Sequence, residues 1–193
     1  MTKKELLSIK KWYHATSLEG YKGILGGIRA DFNKGVPRDF GYGFYLNRSV
    51  NWSNNYILNT VCLGNEDLAK DYVILEINFD LEDVVRKFGD NKERKVFRFF
   101  KGQNGRYAEF VIQNRVNYAF FDYEWHIVAG PMLSNEQIAF IEEHRKESDI
   151  YMSEMISVLQ GNEKEVQLLL HSQEVCDMIK AENIADVLPW RRC

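Results

Sequence analysis

Cysteine and proline are scarce in this sequence, which has three of each among its 193 residues. The cysteines are Cys62, Cys176 and Cys193, and their odd number and wide spacing argue against a disulfide framework and against the paired thiolates of a zinc site. The four histidines show no close pair with zinc-ligand spacing either. We therefore expect no metal. With few prolines and no visible repeat, we expect one domain over residues 1–193.

Long apolar runs are missing as well. No stretch approaches the roughly 20 residues that a membrane-spanning helix needs, and residues 1–7 lack the apolar segment of a secretory signal. We therefore expect a cytoplasmic protein that does not bind a membrane. The formal net charge of −3 does not predict the strongly basic surface typical of nucleic-acid-binding domains. A hydrophobic content of 45% is enough for an ordinary globular core.

Hydrophobic periodicity predicts strands near both ends of the chain with helices between them, which is an α+β architecture. The predicted strands cover residues 9–16, 44–46, 72–79, 95–100, 125–129 and 165–171. Helices are predicted over residues 17–25, 49–60, 106–116, 134–146, 148–159 and 172–180, and several of these ranges open on a serine that suits the N-cap position.

Two segments carry the most specific pattern. The first is Trp12-Tyr13-His14-Ala15-Thr16-Ser17, in which strand alternation places Trp12, His14 and Thr16 on one face. The second is Asp39-Phe40-Gly41-Tyr42-Gly43-Phe44-Tyr45-Leu46, a turn followed by a short strand. Each presents a polar or aromatic side chain suited to holding a planar ligand, and glycines such as Gly41 and Gly43 let a backbone approach a ligand closely.

With several shorter elements, these segments resemble a bacterial branch of the ADP-ribosyltransferase superfamily. The shorter elements are Tyr107-Ala108-Glu109-Phe110, Asn114-Arg115, the run from Ile127 to Gly130-Pro131, and the run from Val166 to His171-Ser172. The resemblance covers roughly residues 12–180, and the Asp-Phe-Gly-x-Gly-Phe-Tyr run is its most specific part. It implies split small antiparallel sheets flanked by helices, with NAD as co-substrate in the cleft between them.

The resemblance also implies roles for individual residues, because the superfamily branch related to poly(ADP-ribose) polymerases uses a His-Tyr-Glu trio. His14 corresponds to the residue that hydrogen-bonds a ribose of NAD, Tyr45 to the residue that stacks on nicotinamide, and Gln167 to the glutamate position. The implied NAD-contacting set is His14, Ala15, Thr16, Asp39, Gly43, Phe44 and Tyr45. Ala15 stands where the polymerases have a glycine.

The glutamate position of the His-Tyr-Glu trio is where a departure of this sequence from the family pattern affects catalysis most. Gln167 is neutral, so it exchanges hydrogen bonds with a ribose but supplies no negative charge. Glu165, two residues earlier on the same predicted strand, falls on the same face and is our candidate for the missing catalytic carboxylate. Glu109 is a second candidate, because family members often hold an acid there. The alternative for both glutamates is a solvated surface charge.

These implications lead to a mono-ADP-ribosyltransferase that acts on a macromolecular acceptor, protein or nucleic acid. Such enzymes commonly serve as toxins or defence effectors, so an antitoxin or inhibitor protein is an expected partner. One alternative is an NAD-binding interaction module with weak or no catalysis, favoured by Ala15 and Gln167. Another is an interaction protein whose acidic residues 134–193 dock a partner. A basic cluster at Lys92, Arg94, Lys95, Arg98 and Lys101 leaves nucleic acid open as acceptor.

Overall fold

The computed structural model describes residues 1–36, 38–89, 95–115, 125–144 and 165–189. Its strands are β1 (Lys11–Ser17), β2 (Phe44–Asn47), β3 (Tyr72–Asn78), β4 (Phe97–Phe99), β5 (Ile127–Pro131), β6 (Val166–Leu170) and β7 (Ile184–Pro189). Its α-helices are α1 (Lys3–Leu7), α2 (Leu18–Leu25), α3 (Val50–Asn55), α4 (Glu66–Ala69), α5 (Leu81–Phe88), α6 (Gly105–Arg115), α7 (Asn135–His144) and α8 (Gln173–Cys176). A π-helical segment (Tyr56–Val61) continues α3, and a 3₁₀ turn (Ala181–Asn183) precedes β7.

The strands form one mixed sheet in the order β4-β5-β6-β2-β1-β3-β7, antiparallel except for the β4–β5 pair. The predicted α+β class is therefore confirmed. The expectation of separate small sheets needs correction, because hydrogen bonding joins all seven strands. The connection between β1 and β2 is narrow, because these strands pair through a single residue pair, Tyr13 with Asn47. By contrast, β1 pairs with β3 along its whole length. The sheet therefore has two halves that meet at one point.

Helices cover both faces of the sheet, which explains the uninterrupted burial of β6, one of its inner strands. All five residues of β6 are buried. Val166, Leu168 and Leu170 pack in a first core with Trp12 and residues of β3 and α5. Leu169 points the other way into a second core, together with Phe40, Tyr107, Val128 and Ile141. A strand buried on both faces is nearly continuous in apolar residues, so the polar Gln167 within it calls for a local explanation.

Six predicted strands are present with boundaries shifted by a few residues, and five of the predicted helices are present. The predicted helix over residues 148–159 lies outside the described residues. The helix predicted over residues 49–60 changes from α to π geometry at Tyr56, and the one over residues 172–180 is shorter, at Gln173–Cys176. Among the described residues, no helix has the length and apolar character that crossing a membrane requires.

Strand β7 and helices α1, α4 and α5 were not predicted. Helix α5 had clear signals: Asp80 caps its first turn by accepting from the amide of Asp83, and Gly89 ends it in the left-handed conformation at φ 69°. Strand β7 has a less regular pattern, and its register with β3 shifts between Glu76 and Ile77. It is recognised only through its pairing with β3.

Candidate active site

A cavity opens where the two halves of the sheet diverge. It has a volume of about 790 Å³ and is lined by residues of β1, α2, the segment before β2, β2 itself, α3, the π-helical segment, the end of α6, the start of α7 and β6. No second β1–β2 pair forms beyond Tyr13 and Asn47 among the described residues, so the strands separate and leave space between them. Pockets of about 300 to 1,000 Å³ are typical of cofactor and small-molecule sites.

The predicted site residues of the two N-terminal segments and of β6 all line this cleft. They are His14, Ala15, Thr16, Asp39, Gly43, Phe44, Tyr45 and Gln167. The antiparallel pairing of β2 with β6, which sets Asn47 opposite Gln167, brings the last of them to the others. Because the fold gathers residues as far apart in the sequence as His14 and Gln167, the cleft is the candidate site.

His14 bridges the gap between the two halves of the sheet. Its Nδ1 lies 2.7 Å from the backbone oxygen of Tyr45, and because a carbonyl oxygen only accepts, Nδ1 carries the hydrogen. Burial lowers the pKa of His14 to about 4, and the bond to Tyr45 opposes that shift only in part. His14 is therefore neutral at pH 7, with Nε2 as an acceptor. The ring of Phe44 lies 4.3 Å from the imidazole ring and fixes its position.

The hydroxyl of Tyr45 stabilises the turn before its own strand. It donates to the backbone oxygen of Gly41 at 2.7 Å and accepts from the amide of Phe40 at 3.0 Å. The phenol ring lies beside the ring of Phe40, with centroids 6.5 Å apart. Because the hydroxyl bonds within the turn, the ring is the part of Tyr45 that is suited to contact a ligand.

Gly43 is required by the close approach of this turn to β6. Its φ is 148°, and a Cβ there would lie 2.3 Å from Leu169 Cδ1 and 2.7 Å from the oxygen of Leu170. Its amide donates to Asn33 Oδ1 at 2.7 Å. The expectation that this glycine serves ligand approach thus gains a second reason, which is packing against the neighbouring strand.

A buried polar network lies beneath Gln167. Its Nε2 is 2.7 Å from Asp39 Oδ2, while the other oxygen, Asp39 Oδ1, accepts from Arg115 Nε at 2.5 Å. Arg115 also contacts Glu142 Oε1 at 3.3 Å. Asp39, Arg115 and Gln167 are each at most 7% exposed. Burial lowers the pKa of Arg115, but the charge and hydrogen bond of Asp39, together with smaller contributions from Tyr45 and Glu142, outweigh it, and the pKa is raised.

Arg115 is a cleft residue that the sequence analysis did not single out. It is the last described residue of α6, within the Asn114-Arg115 pair that is one of the shorter elements of the resemblance. Its neighbour Asn114 donates to the backbone oxygen of Asp39 at 3.4 Å. The pair therefore anchors the turn that carries Asp39, a long-range relation that sequence spacing does not reveal.

Glu165 is not among the residues that line the cleft, so its predicted role as the missing carboxylate gains no support from the geometry and stays a prediction. Strand β6 begins at Val166, so the alternation that would place Glu165 beside Gln167 does not extend to it. Its side chain instead approaches Arg48 at 3.7 Å, and its backbone oxygen accepts from the amide of Met132. Glu109 is exposed on α6 and is likewise outside the cleft lining.

The wall opposite the strands is aromatic. Trp52 and Tyr56, four residues apart, line the cleft from α3 and the π-helical segment. The indole Nε1 of Trp52 is buried and has no hydrogen-bond partner among the described residues. Trp12, which we expected on the same face as His14, is fully buried in the first core instead of lining the cleft. Among the tryptophans that the structure describes, Trp52 is therefore the one placed to report on a bound ligand.

The basic cluster is only partly described, because Lys92 and Arg94 lie outside the described residues. Within it, the guanidinium of Arg98 lies 4.6 Å from the ring centroid of Phe100 and 5.1 Å from that of Phe110. Arg98 thus packs on aromatic rings and is not fully solvated. In the described part of the chain, no group of three or more His, Cys, Asp or Glu side chains is placed to hold a metal ion.

Comparison with known proteins adds no identification. No protein-family model matches the chain, and no curated protein or solved structure matches it either.

Proposed function

We propose that this chain is an NAD-dependent mono-ADP-ribosyltransferase that transfers ADP-ribose to a macromolecular acceptor. The observation that carries the proposal is that His14, Tyr45 and Gln167, which the family resemblance assigns to one site, line a single cleft together with Ala15 and Asp39. The halves of the single sheet join through the Tyr13–Asn47 pair, so the cleft opens between β1 and β2 and gives a ligand access to both.

The chemistry suits the groups present. Cleavage of the nicotinamide–ribose bond develops positive charge on the sugar, as in glycoside hydrolysis. Nicotinamide leaves as a neutral molecule, so no general acid is needed, and the protein's task is to position the ribose and to stabilise the developing charge. The neutral acceptor Nε2 of His14 suits a ribose hydroxyl. The cluster of Asp39, Arg115 and Glu142 contains two carboxylates and one guanidinium, and the other charged side chains that line the cleft are Glu19, Arg29 and Arg38.

The proposal is tested by incubating the protein with NAD labelled on its adenylate phosphate, in separate pools of protein, RNA and DNA. Transfer of label to one pool, with release of nicotinamide, is the expected result. The variant Y45A, which removes the ring, is expected to lose transfer. The variant D67N changes an exposed carboxylate of α4 outside the cleft lining and serves as the control that keeps it. No label in any pool and no nicotinamide release would contradict a transferase.

A second candidate is an NAD-binding module without catalysis. Among the described residues, the carboxylates that line the cleft are Glu19 and Asp39, and Asp39 is paired with Arg115. No unpaired carboxylate occupies the β6 position that the resemblance assigns to glutamate. For this candidate, calorimetry detects NAD binding while chromatography detects no nicotinamide. Turnover above a boiled-protein control would exclude it.

Such transferases often act as toxins or defence effectors, and we extend the proposal to an antitoxin or inhibitor protein as partner. Expression in cells provides the test. The expected result is growth arrest by the wild-type chain and none by Y45A at equal protein level. Equal growth of both strains would remove the support for a toxin role.

A further inference from the structure

The amide of Gln167 has only one orientation that satisfies its surroundings. Its Nε2 lies 2.7 Å from Asp39 Oδ2 and 3.5 Å from the backbone oxygen of Pro131. A carbonyl oxygen only accepts, and an ionised carboxylate only accepts. The nitrogen of the amide must therefore face these two groups, and the oxygen must face away from them.

The amide oxygen of Gln167 has no donor among the described residues, although the side chain is only 5% exposed and lines the cleft. An acceptor held in this way suits a hydroxyl or an N–H donor of a ligand. It repels an anion or another carbonyl. A glutamate side chain at this position would not form the same contacts, because it would place a second carboxylate about 2.7 Å from that of Asp39.

Arg115 is the charged partner of Asp39. The side chains of the two residues are each 8% exposed, with Nε and Oδ1 2.5 Å apart. A buried carboxylate is stable in its ionised form only when it is paired. Arg115 provides that pairing on Oδ1 and leaves Oδ2 for Gln167.

We propose that Asp39 is a positioning residue that holds the amide of Gln167 with its oxygen toward the cleft, where it accepts a hydrogen bond from a hydroxyl of the nicotinamide ribose. This inference rests on the proposed binding of NAD. In this arrangement the carboxylate lies on the turn before β2, and the amide that it orients lies on β6.

The sharpest test exchanges the carboxylate at position 39 with the amide at position 167. Both single variants, D39N and Q167E, are expected to weaken NAD binding about tenfold, since D39N no longer fixes the amide and Q167E opposes two carboxylates. In the double variant D39N/Q167E, the amide nitrogen introduced on the turn donates to the carboxylate introduced on β6, and the amide oxygen still accepts from Arg115. Affinity is therefore expected to return to within about threefold of wild type. The control D67N is expected to bind NAD as wild type does. A double variant no better than Q167E would overturn the proposal.

Analogues of NAD that lack the 2′- or the 3′-hydroxyl of the nicotinamide ribose test the ligand contact. Wild-type protein is expected to bind at least one of them about tenfold more weakly than NAD. Q167A, which deletes the acceptor without adding bulk, is expected to bind that analogue and NAD within about twofold of each other. Equal discrimination by wild type and Q167A would overturn the contact even if D39N does not fold.

A measurement without NAD separates this inference from the proposed function. In the NMR spectrum of the free protein, the side-chain NH₂ of Gln167 is expected to exchange slowly with solvent, and to exchange at least about tenfold faster in D39N. Unchanged exchange in a folded D39N would overturn the positioning role. Wild-type protein that shows slow exchange but no NAD binding would overturn the proposed function and, with it, the ribose contact, while leaving the Asp39–Gln167 interaction supported.

Discussion

In the cleft, the charge and the hydrogen bonds of individual side chains depend more on their burial than on the type of residue. His14 has an ordinary side chain, yet its place between the sheet halves makes it neutral and orients its Nδ1 toward Tyr45. Asp39 is buried in its turn, and Arg115 provides the charged partner that a buried carboxylate needs. The tyrosine at position 45 uses its hydroxyl for the turn and keeps its ring for the cleft.

The low pKa of His14 predicts a pH dependence of stability. The folded pKa, about 4, lies below the ordinary value of 6.5, so between these values the unfolded chain binds a proton that the folded chain does not. The resulting stability is present above pH 6.5 and is lost as the pH falls toward 4, by about 3 kcal/mol at most.

Urea unfolding from about pH 4.5 to about pH 7.5 measures this effect, and H14N is expected to reduce the slope of unfolding free energy against pH. Part of the slope remains in H14N, because burial also lowers the pKa of His171. An unchanged slope in H14N would mean that His14 is not desolvated in the folded protein.

Removing the hydroxyl of Tyr45 separates its two roles. In Y45F the ring stays, but the amide of Phe40 loses its acceptor and the oxygen of Gly41 loses its donor. An unsatisfied buried group costs about 1 to 3 kcal/mol, so we expect the free energy of unfolding of Y45F to fall by about that amount. The proposed stacking on a ligand ring should be retained. Denaturant titration measures the loss, and a stability equal to wild type would contradict the turn contact.

At the scale of elements, the cleft depends on how the turn before β2 fits against β6. Gly43 lets the turn approach the strand, and the antiparallel register then places Tyr45 opposite Leu169 and Asn47 opposite Gln167. Helix α2 begins directly after β1 at its cap residue Ser17, whose hydroxyl accepts from the amide of Gly20 at 3.0 Å. Strand and helix therefore meet at the cleft without a connecting loop.

Gly43→Ala is expected to be strongly destabilising. The new Cβ would lie 2.3 Å from Leu169 Cδ1 in a backbone conformation that alanine rarely adopts. We expect a loss of more than about 2 kcal/mol, combining strain with overpacking. Gly64→Ala is the matched control, because Gly64 has a positive φ of 82° but no atom within 4 Å of the added Cβ. Thermal unfolding of both variants compares them, and equal losses would show that strain alone accounts for the effect.

At the scale of the whole molecule, the described strands form one sheet whose two halves connect through a single residue pair. The cleft lies beside this connection. Each half has its own outer strands, and the first and second cores lie on opposite faces. A ligand in the cleft touches both halves, because His14 belongs to one half and Gln167 to the other. Binding is therefore expected to stabilise the complete fold and not one element alone.

Among the described tryptophans, Trp52 is the one whose fluorescence should report NAD binding. Trp52 lines the cleft, whereas Trp12 is fully buried in the first core. We expect NAD to quench the emission of the wild-type protein and to have little effect on W52F. Trp125, which is half-buried and outside the cleft lining, provides the control W125F, which should respond as wild type does. Quenching that persists in W52F would place the ligand elsewhere.

Local sequence was sufficient for the α+β class and for most elements. Serine caps, glycine stops and β-branched runs act between near neighbours, so they can be recognised without tertiary structure. His14 and Tyr45 could also be chosen as candidates without tertiary structure, because the segments that contain them have distinctive sequences. Helix α5 shows the limit of our interpretation, because its capping signals were present and were not used.

The contacts within the candidate site depend on long-range packing. The sequence determined that Gln167 is neutral and that β6 is apolar, but its pairing with Asp39 across 128 positions exists only because β2 and β6 are neighbours. The same packing leaves Glu165 outside the cleft lining, because β6 begins one residue after it. Charge pairing in a buried site depends on which backbones meet. Alternation along one strand does not contain that information.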